Sequence, residues 1–228
     1  MRNRLMTWGA VLALGTGLAA GAAHAATPFQ IDVPDLPGDI LPSFAGAPAA
    51  DLDITDFNVA FDGSNFRFGV TVAGDTTRPS DPTNQFVIGI DFGTGGAASP
   101  FGNIGEGAVT FNKAIGVTEG ATSVTLNGHV EAVSFGADGF SMVVPLADLA
   151  APANANPDNF GFSLWSKTNG LNVTGNPFGA NAKNADFAPN NGVAGVPEPA
   201  AWALMILGFG FAGAGLRIRR KASPPQMA

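Results

Sequence analysis

The sequence is expected to fold as an all-β protein: a jelly-roll-like antiparallel β-sandwich, exported behind an N-terminal signal peptide and followed by one C-terminal transmembrane helix. Three observations carry that expectation. Short stretches alternate Phe, Val or Ile with polar or small residues. Turn-forming Gly, Asn, Asp and Pro separate those stretches, with 31 Gly and 17 Pro in 228 residues. Lys, Glu and Leu, which favour helices, are scarce outside the two ends. Cysteine is absent, so an exported domain of this size must rest on its apolar core or on a metal instead of disulfides.

The ends are read first, because they distort the composition. Arg2 and Arg4 precede an apolar run from Leu5 to Ala20, and Ala23-His24-Ala25 has the small-x-small form of a cleavage site. Residues 1–25 therefore read as a secretory signal peptide, with Ala26 or Thr27 as the mature start. Of the 18 acidic residues only Glu198 lies in a terminal segment. Six of the 11 basic residues (Arg2, Arg4, Arg217, Arg219, Arg220 and Lys221) do so, leaving 17 acidic against 5 basic residues between Thr27 and Gly195. A domain this acidic excludes nucleic acid, which demands clustered Lys and Arg, and is compatible with divalent cations.

Residues 26–48 contain five prolines among acids and isolated apolar residues, an extended lead-in or edge segment. The sandwich is expected over 49–192. Phe57, Val59 and Phe61 alternate, Asp62-Gly63-Ser64-Asn65 turns the chain, and Phe66, Phe68, Val70 and Val72 alternate again. Phe86, Ile88, Ile90 and Phe92 repeat the pattern before a Gly-rich loop. Val130–Phe135 and Phe140–Val144 flank Gly136-Ala137-Asp138-Gly139, and Pro145 to Leu149 suggests one helical turn. Phe160, Phe162 and Leu164 mark another strand. Residues 193–199 read as a spacer ending in Pro197-Glu198-Pro199.

Ala200 to Leu216 then runs 17 residues without a charge, about 26 Å of helix and the short end of what spans a bilayer. Trp202 suits the outer interface, and the basic residues 217–228 form a cytoplasmic tail. Pro197-Glu198-Pro199, Ala200-Ala201-Trp202-Ala203, the Gly-rich apolar segment and the Arg cluster, in that order, resemble the PEP-CTERM sorting signal in its PEPxxWA variant. The resemblance covers roughly the last 30 residues. It implies recognition by an exosortase, a membrane-embedded transpeptidase-like enzyme. It also implies a Gram-negative producer of extracellular polysaccharide, an inner-membrane intermediate, and delivery to the cell surface or matrix. Pro197, Glu198 and Pro199 would be recognised, Trp202 would mark the subtype, and Arg217, Arg219 and Arg220 would stop the chain. The extension from Ala222 to Ala228 departs from the usual ending.

The middle of the chain carries little catalytic signal, and no enzyme is expected. His129 is the one histidine outside the signal peptide and follows Asn127-Gly128, a turn; no Gly-x-Ser-x-Gly elbow accompanies it. Asp51, Asp53 and Asp56 form the densest acidic cluster, and Asp186 opens an oxygen-rich segment. All four are candidate ligands for Ca²⁺, against the alternative of solvated strand-edge charge. Trp165 is out of phase with Phe160, Phe162 and Leu164, so it faces the other side of its strand. It is either a stacking platform for a sugar ring or part of a second packed face.

The order of these stretches resembles DOMON-like and family-9 carbohydrate-binding-module sandwiches, over about residues 50–192. That resemblance implies a sugar or haem ligand; for haem, His129 and Met142 lack a supporting spacing. The expectation is a non-catalytic, surface-sorted binder of extracellular polysaccharide, with a purely structural, cation-modulated matrix protein as the alternative and a hydrolase as the least favoured reading.

Overall fold

The computed structural model describes residues 27–196. The expected signal peptide (1–25), the Pro-Glu-Pro motif (197–199), the expected transmembrane helix (200–216) and the basic tail (217–228) lie outside the described residues. Among the described residues no helix is long and apolar enough to cross a membrane.

Two antiparallel sheets face each other. The first has six strands: β1 (Phe29–Pro34), β2 (Ile54–Phe61), β3 (Asn65–Val72), β6 (Ser123–Leu126), β7 (His129–Phe135) and β8 (Gly139–Pro145). Their order is β1-β2-β3-β8-β7-β6. The second contains β4 (Asn84–Asp91), β5 (Lys113–Thr118), β9 (Gly161–Thr168) and β10 (Asn184–Ala188) in the order β10-β9-β4-β5. A two-residue strand, β11 (Ala194–Gly195), adds to β9 through Ala194 opposite Phe162 and Gly195 opposite Gly161.

The expected alternation builds the main core. Phe57, Val59 and Phe61 of β2, Phe66 and Phe68 of β3, Phe86, Ile88 and Ile90 of β4, and Phe162 and Leu164 of β9 are all buried between the sheets. Phe66 sits at the centre of the aromatic packing, with ring centroids 4.5 Å from Phe61, 6.0 Å from Phe68, 5.8 Å from Phe160 and 5.6 Å from Phe162. The Pro145–Leu149 stretch forms a single 3-10 turn over Leu146–Leu149. Asn127 and Gly128 both take positive φ (49° and 85°), the backbone of a tight hairpin between β6 and β7, with His129 first after it.

The sandwich extends past both expected boundaries. Phe29–Pro34, inside the expected lead-in, pairs along its whole length with β2. Its prolines lie at or outside the strand ends on an edge position, where a missing donor is tolerated. At the other limit, the expected spacer is folded as far as Val196: β11 pairs with β9, and Ala194 and Val196 pack against the core.

A second, smaller apolar cluster covers the outer face of the second sheet. Val87, Trp165 and Phe187 rise from β4, β9 and β10, and Phe101 and Val109 cover them from the long loop between β4 and β5. Gly89 leaves room for this: a Cβ there would stand 2.9 Å from the Trp165 ring and 2.6 Å from the Ser163 hydroxyl.

Candidate metal centre

Pro37 and Gly38 turn the chain directly after β1, Gly38 taking a φ of 88° that suits its lack of a side chain. That turn brings Asp35 and Asp39, four residues apart, to the same side. The segment then crosses the second sheet's edge, where Leu41 N–H donates to the Ala185 carbonyl at 2.7 Å. Asp186 of β10 lies beneath it. One carboxylate oxygen from each of Asp35, Asp39 and Asp186 falls within 4.8 Å of the others. Oxygens bound to one Ca²⁺ at about 2.4 Å are at most about 4.8 Å apart, so the three fit a common ion.

Asp186 is fully buried. Its Oδ2 accepts the Ile54 amide at 2.7 Å and its Oδ1 the Phe187 amide at 2.8 Å. Asp35 Oδ2 and Asp39 Oδ1 are inaccessible to solvent and have no hydrogen-bond partner. The Asn190 side chain bridges their other oxygens, 2.9 Å from Asp39 Oδ2 and 3.4 Å from Asp35 Oδ1. Glu106 stands beside the group and accepts the Asn191 amide.

Like charges crowd here without a base. The ion pairs among the described residues are Arg78–Asp75 and His129–Asp148, neither at this cluster. Burial, then the neighbouring Asp35 and Asp39 carboxylates, push Asp186 up to about 8. Burial, then Asp39, push Asp35 up to about 6. Burial also raises Asp53 and Glu106, each with a contribution from Asp39. A bound divalent cation would remove this repulsion and supply the partner that the two orphaned oxygens lack.

Of the four candidate carboxylates, Asp186 belongs to the cluster; Asp51, Asp53 and Asp56 do not join it as ligands. Two adjacent strand positions of equal parity would share a face, but Ala50–Leu52 is a 3-10 turn and β2 begins only at Ile54. Asp51 therefore turns away, its Oδ2 accepting the Ser80 amide at 2.5 Å and the Asn84 side chain at 3.0 Å. Asp53 accepts the Gly38 amide with both oxygens, at 3.0 and 2.8 Å, and so clamps the turn that presents Asp35 and Asp39. Asp56 lies past a register shift in the β2–β3 pairing, beside Asp32. Asp35 and Asp39 are hard to single out in the sequence because they sit in the proline-rich lead-in. The Pro37-Gly38 turn between them is the signal that marks them.

Trp165 does face away from the main core, as its phase requires, but that face is covered. It is 5 % exposed, with ring centroids 5.1 Å from Phe101, 5.2 Å from Phe111 and 6.0 Å from Phe187. Of the two readings, the enclosed ring fits the second packed face and leaves no open stacking platform. The groove of about 500 Å³ on the outer face of β7 and β8 is lined by Arg67, Glu131, Ser134, Ser141 and aliphatic residues, without an aromatic ring. His129 is exposed, and its Nδ1 lies 2.8 Å from the buried Asp148. Met142, the other haem-ligand type, is buried in the main core.

Comparison with known families matches residues 195–221 to the model described as the PEP-CTERM protein-sorting motif. No curated protein matches the chain.

Proposed function

We propose that this chain, which carries a PEP-CTERM protein-sorting motif and is by that motif an exported substrate of exosortase sorting to the cell surface, holds a sandwich that is structural, non-catalytic cargo stabilised by a divalent cation, most simply Ca²⁺. The observation that supports this reading is the Asp35–Asp39–Asp186 cluster, whose oxygens meet within 4.8 Å while two of them lack any partner. Extracellular fluids supply Ca²⁺ at concentrations that weak sites can use. The surrounding acidity favours solubility and allows cation-dependent packing between copies in a matrix.

Polysaccharide binding, with Trp165 as its anchor, loses support because the ring is enclosed. An enzymatic role lacks a nucleophile placed against His129: its side-chain partner among the described residues is Asp148.

Calorimetric titration of the mature chain tests the reading. Ca²⁺ should bind to the unmodified chain and fail to bind to an Asp35→Asn, Asp39→Asn double variant. The producer's polysaccharide should give no isotherm. A polysaccharide isotherm in Ca²⁺-free buffer, or Ca²⁺ binding untouched by the double substitution, would overturn it.

A further inference from the structure

The matched sorting motif begins at Gly195, inside β11. The last strand of the sandwich and the first residues of the sorting segment are therefore the same residues. Gly195 pairs with Gly161, and Val196 packs against the core. From Val196 a single peptide link leads to Pro197, at most about 3.6 Å of extended chain. An enzyme that takes its substrate as an extended strand grips backbone on both sides of the motif. While β11 is docked, the upstream side is committed to β9.

The docked segment is built to release. β11 has two residues, Ala194 is half-buried and Gly195 exposed, and such short edge pairings open at the low end of a protein's stability range. Release also has a natural limit. Immediately upstream, the Asn190 side chain bonds Asp39, the Asn191 amide bonds Glu106, and Asn191 Oδ1 accepts the Ala108 amide at 2.9 Å. Residues 192–196 are thus free to peel off while 190–191 stay fixed, adding about 17 Å of extended chain before the motif. Peeling draws the Val193 side chain away from Gly161, where an added Cβ would stand 3.2 Å from the valine.

We propose that residues 194–196 are a shared strand: docked on β9 they close the sandwich, and released they are the upstream substrate residues that the sorting enzyme holds beside Pro197-Glu198-Pro199. This rests on the reading that an exosortase processes the tail.

The test uses the full chain in exosortase-containing cells, with the ratio of processed to unprocessed protein read by intact mass. The protein has no cysteine, so Gly161→Cys with Gly195→Cys can form only one intramolecular disulfide. Antiparallel partners lie within disulfide range. Oxidised, this chain should be processed several-fold more slowly than the unmodified one. A short Gly-Ser insertion between Val196 and Pro197 should restore processing in the locked chain and accelerate it in the unlocked chain. The Gly195→Cys single variant sets the reference rate, and reducing the disulfide should return the locked chain to it. Processing of the locked chain at the unmodified rate, or an insertion without effect in both backgrounds, would overturn the shared strand. Absence of processing in the unmodified chain would instead overturn the sorting reading on which it rests.

Discussion

Asp186 of β10 accepts the backbone amide of Ile54 in β2 at 2.7 Å, a hydrogen bond that joins the two sheets across 132 residues of sequence. Both partners are fully buried. The same carboxylate contributes to the Asp35–Asp39 cluster, so one side chain serves inter-sheet cohesion and the candidate cation site together.

Substitutions at this position separate the two roles. Asp186→Ala leaves the Ile54 amide without an acceptor and should cost about 1–3 kcal/mol. Asp186→Asn keeps an acceptor and removes the charge. Without metal, its stability should match or exceed that of the unmodified chain above pH 8, while added Ca²⁺ should raise its Tm much less. Thermal melts with and without Ca²⁺ measure both effects.

The metal-free protein should lose stability as pH rises through the neutral range. Asp35 and Asp186 hold protons in the fold up to about 6 and about 8, well above ordinary carboxylates. Glu119, whose oxygens are buried without hydrogen-bond partners, is pushed up to about 7 by burial and then by Asp51, against an opposing Asn84 contact. Between the usual carboxylate range and these values the folded state binds more protons than the unfolded one. The stability these groups contribute is therefore complete at low pH and disappears as pH passes their folded values. Asp62, Asp75 and Asp81 act in the opposite sense: hydrogen bonds from Asn65, Thr77 and Thr83 lower them, so their effect is confined to the acid edge. Urea midpoints from pH 5 to 9 should fall without metal. Saturating Ca²⁺ should flatten the curve, because the ion competes with the protons.

The strand alternation was legible in the sequence wherever one face alone is buried. Phe57, Val59 and Phe61, and Phe66, Phe68 and Val70, are examples, because a period of two then maps directly onto burial. It was illegible where both faces are covered: β10 reads Asn-Ala-Asp-Phe-Ala and every residue in it is buried. Trp165 shows the same limit. Its phase placed it on the outer face, but the cover comes from Phe101 and Phe111, more than fifty residues away. The acidic site was half legible. Proximity in sequence suggested Asp51, Asp53 and Asp56, whereas a 3-10 turn and a register shift dispersed them and a Pro-Gly turn assembled Asp35 and Asp39.

Trp165→Ala should behave as a core deletion, costing about 3–5 kcal/mol. A collisional quencher should barely reach this indole in the native protein, because its exposure is only 5 %. Near-surface quenching with an unchanged melting temperature in the Ala variant would contradict the enclosed packing.

Phe66→Ala should be at least as damaging, again about 3–5 kcal/mol, since five neighbouring rings lose a common partner. His129→Ala, by contrast, removes an exposed side chain whose partner is the buried Asp148 and should cost less, about 1–3 kcal/mol for the carboxylate left unpaired. Denaturant melts of the two variants side by side measure the difference.

Delivery of this sandwich by its sorting segment is tested most directly by the intact mass of the protein recovered from cells and medium. The expected product begins at Ala26 or Thr27 and ends near Pro197–Pro199, having lost both terminal segments. A final product retaining the complete tail through Ala228 in the inner membrane would contradict that delivery.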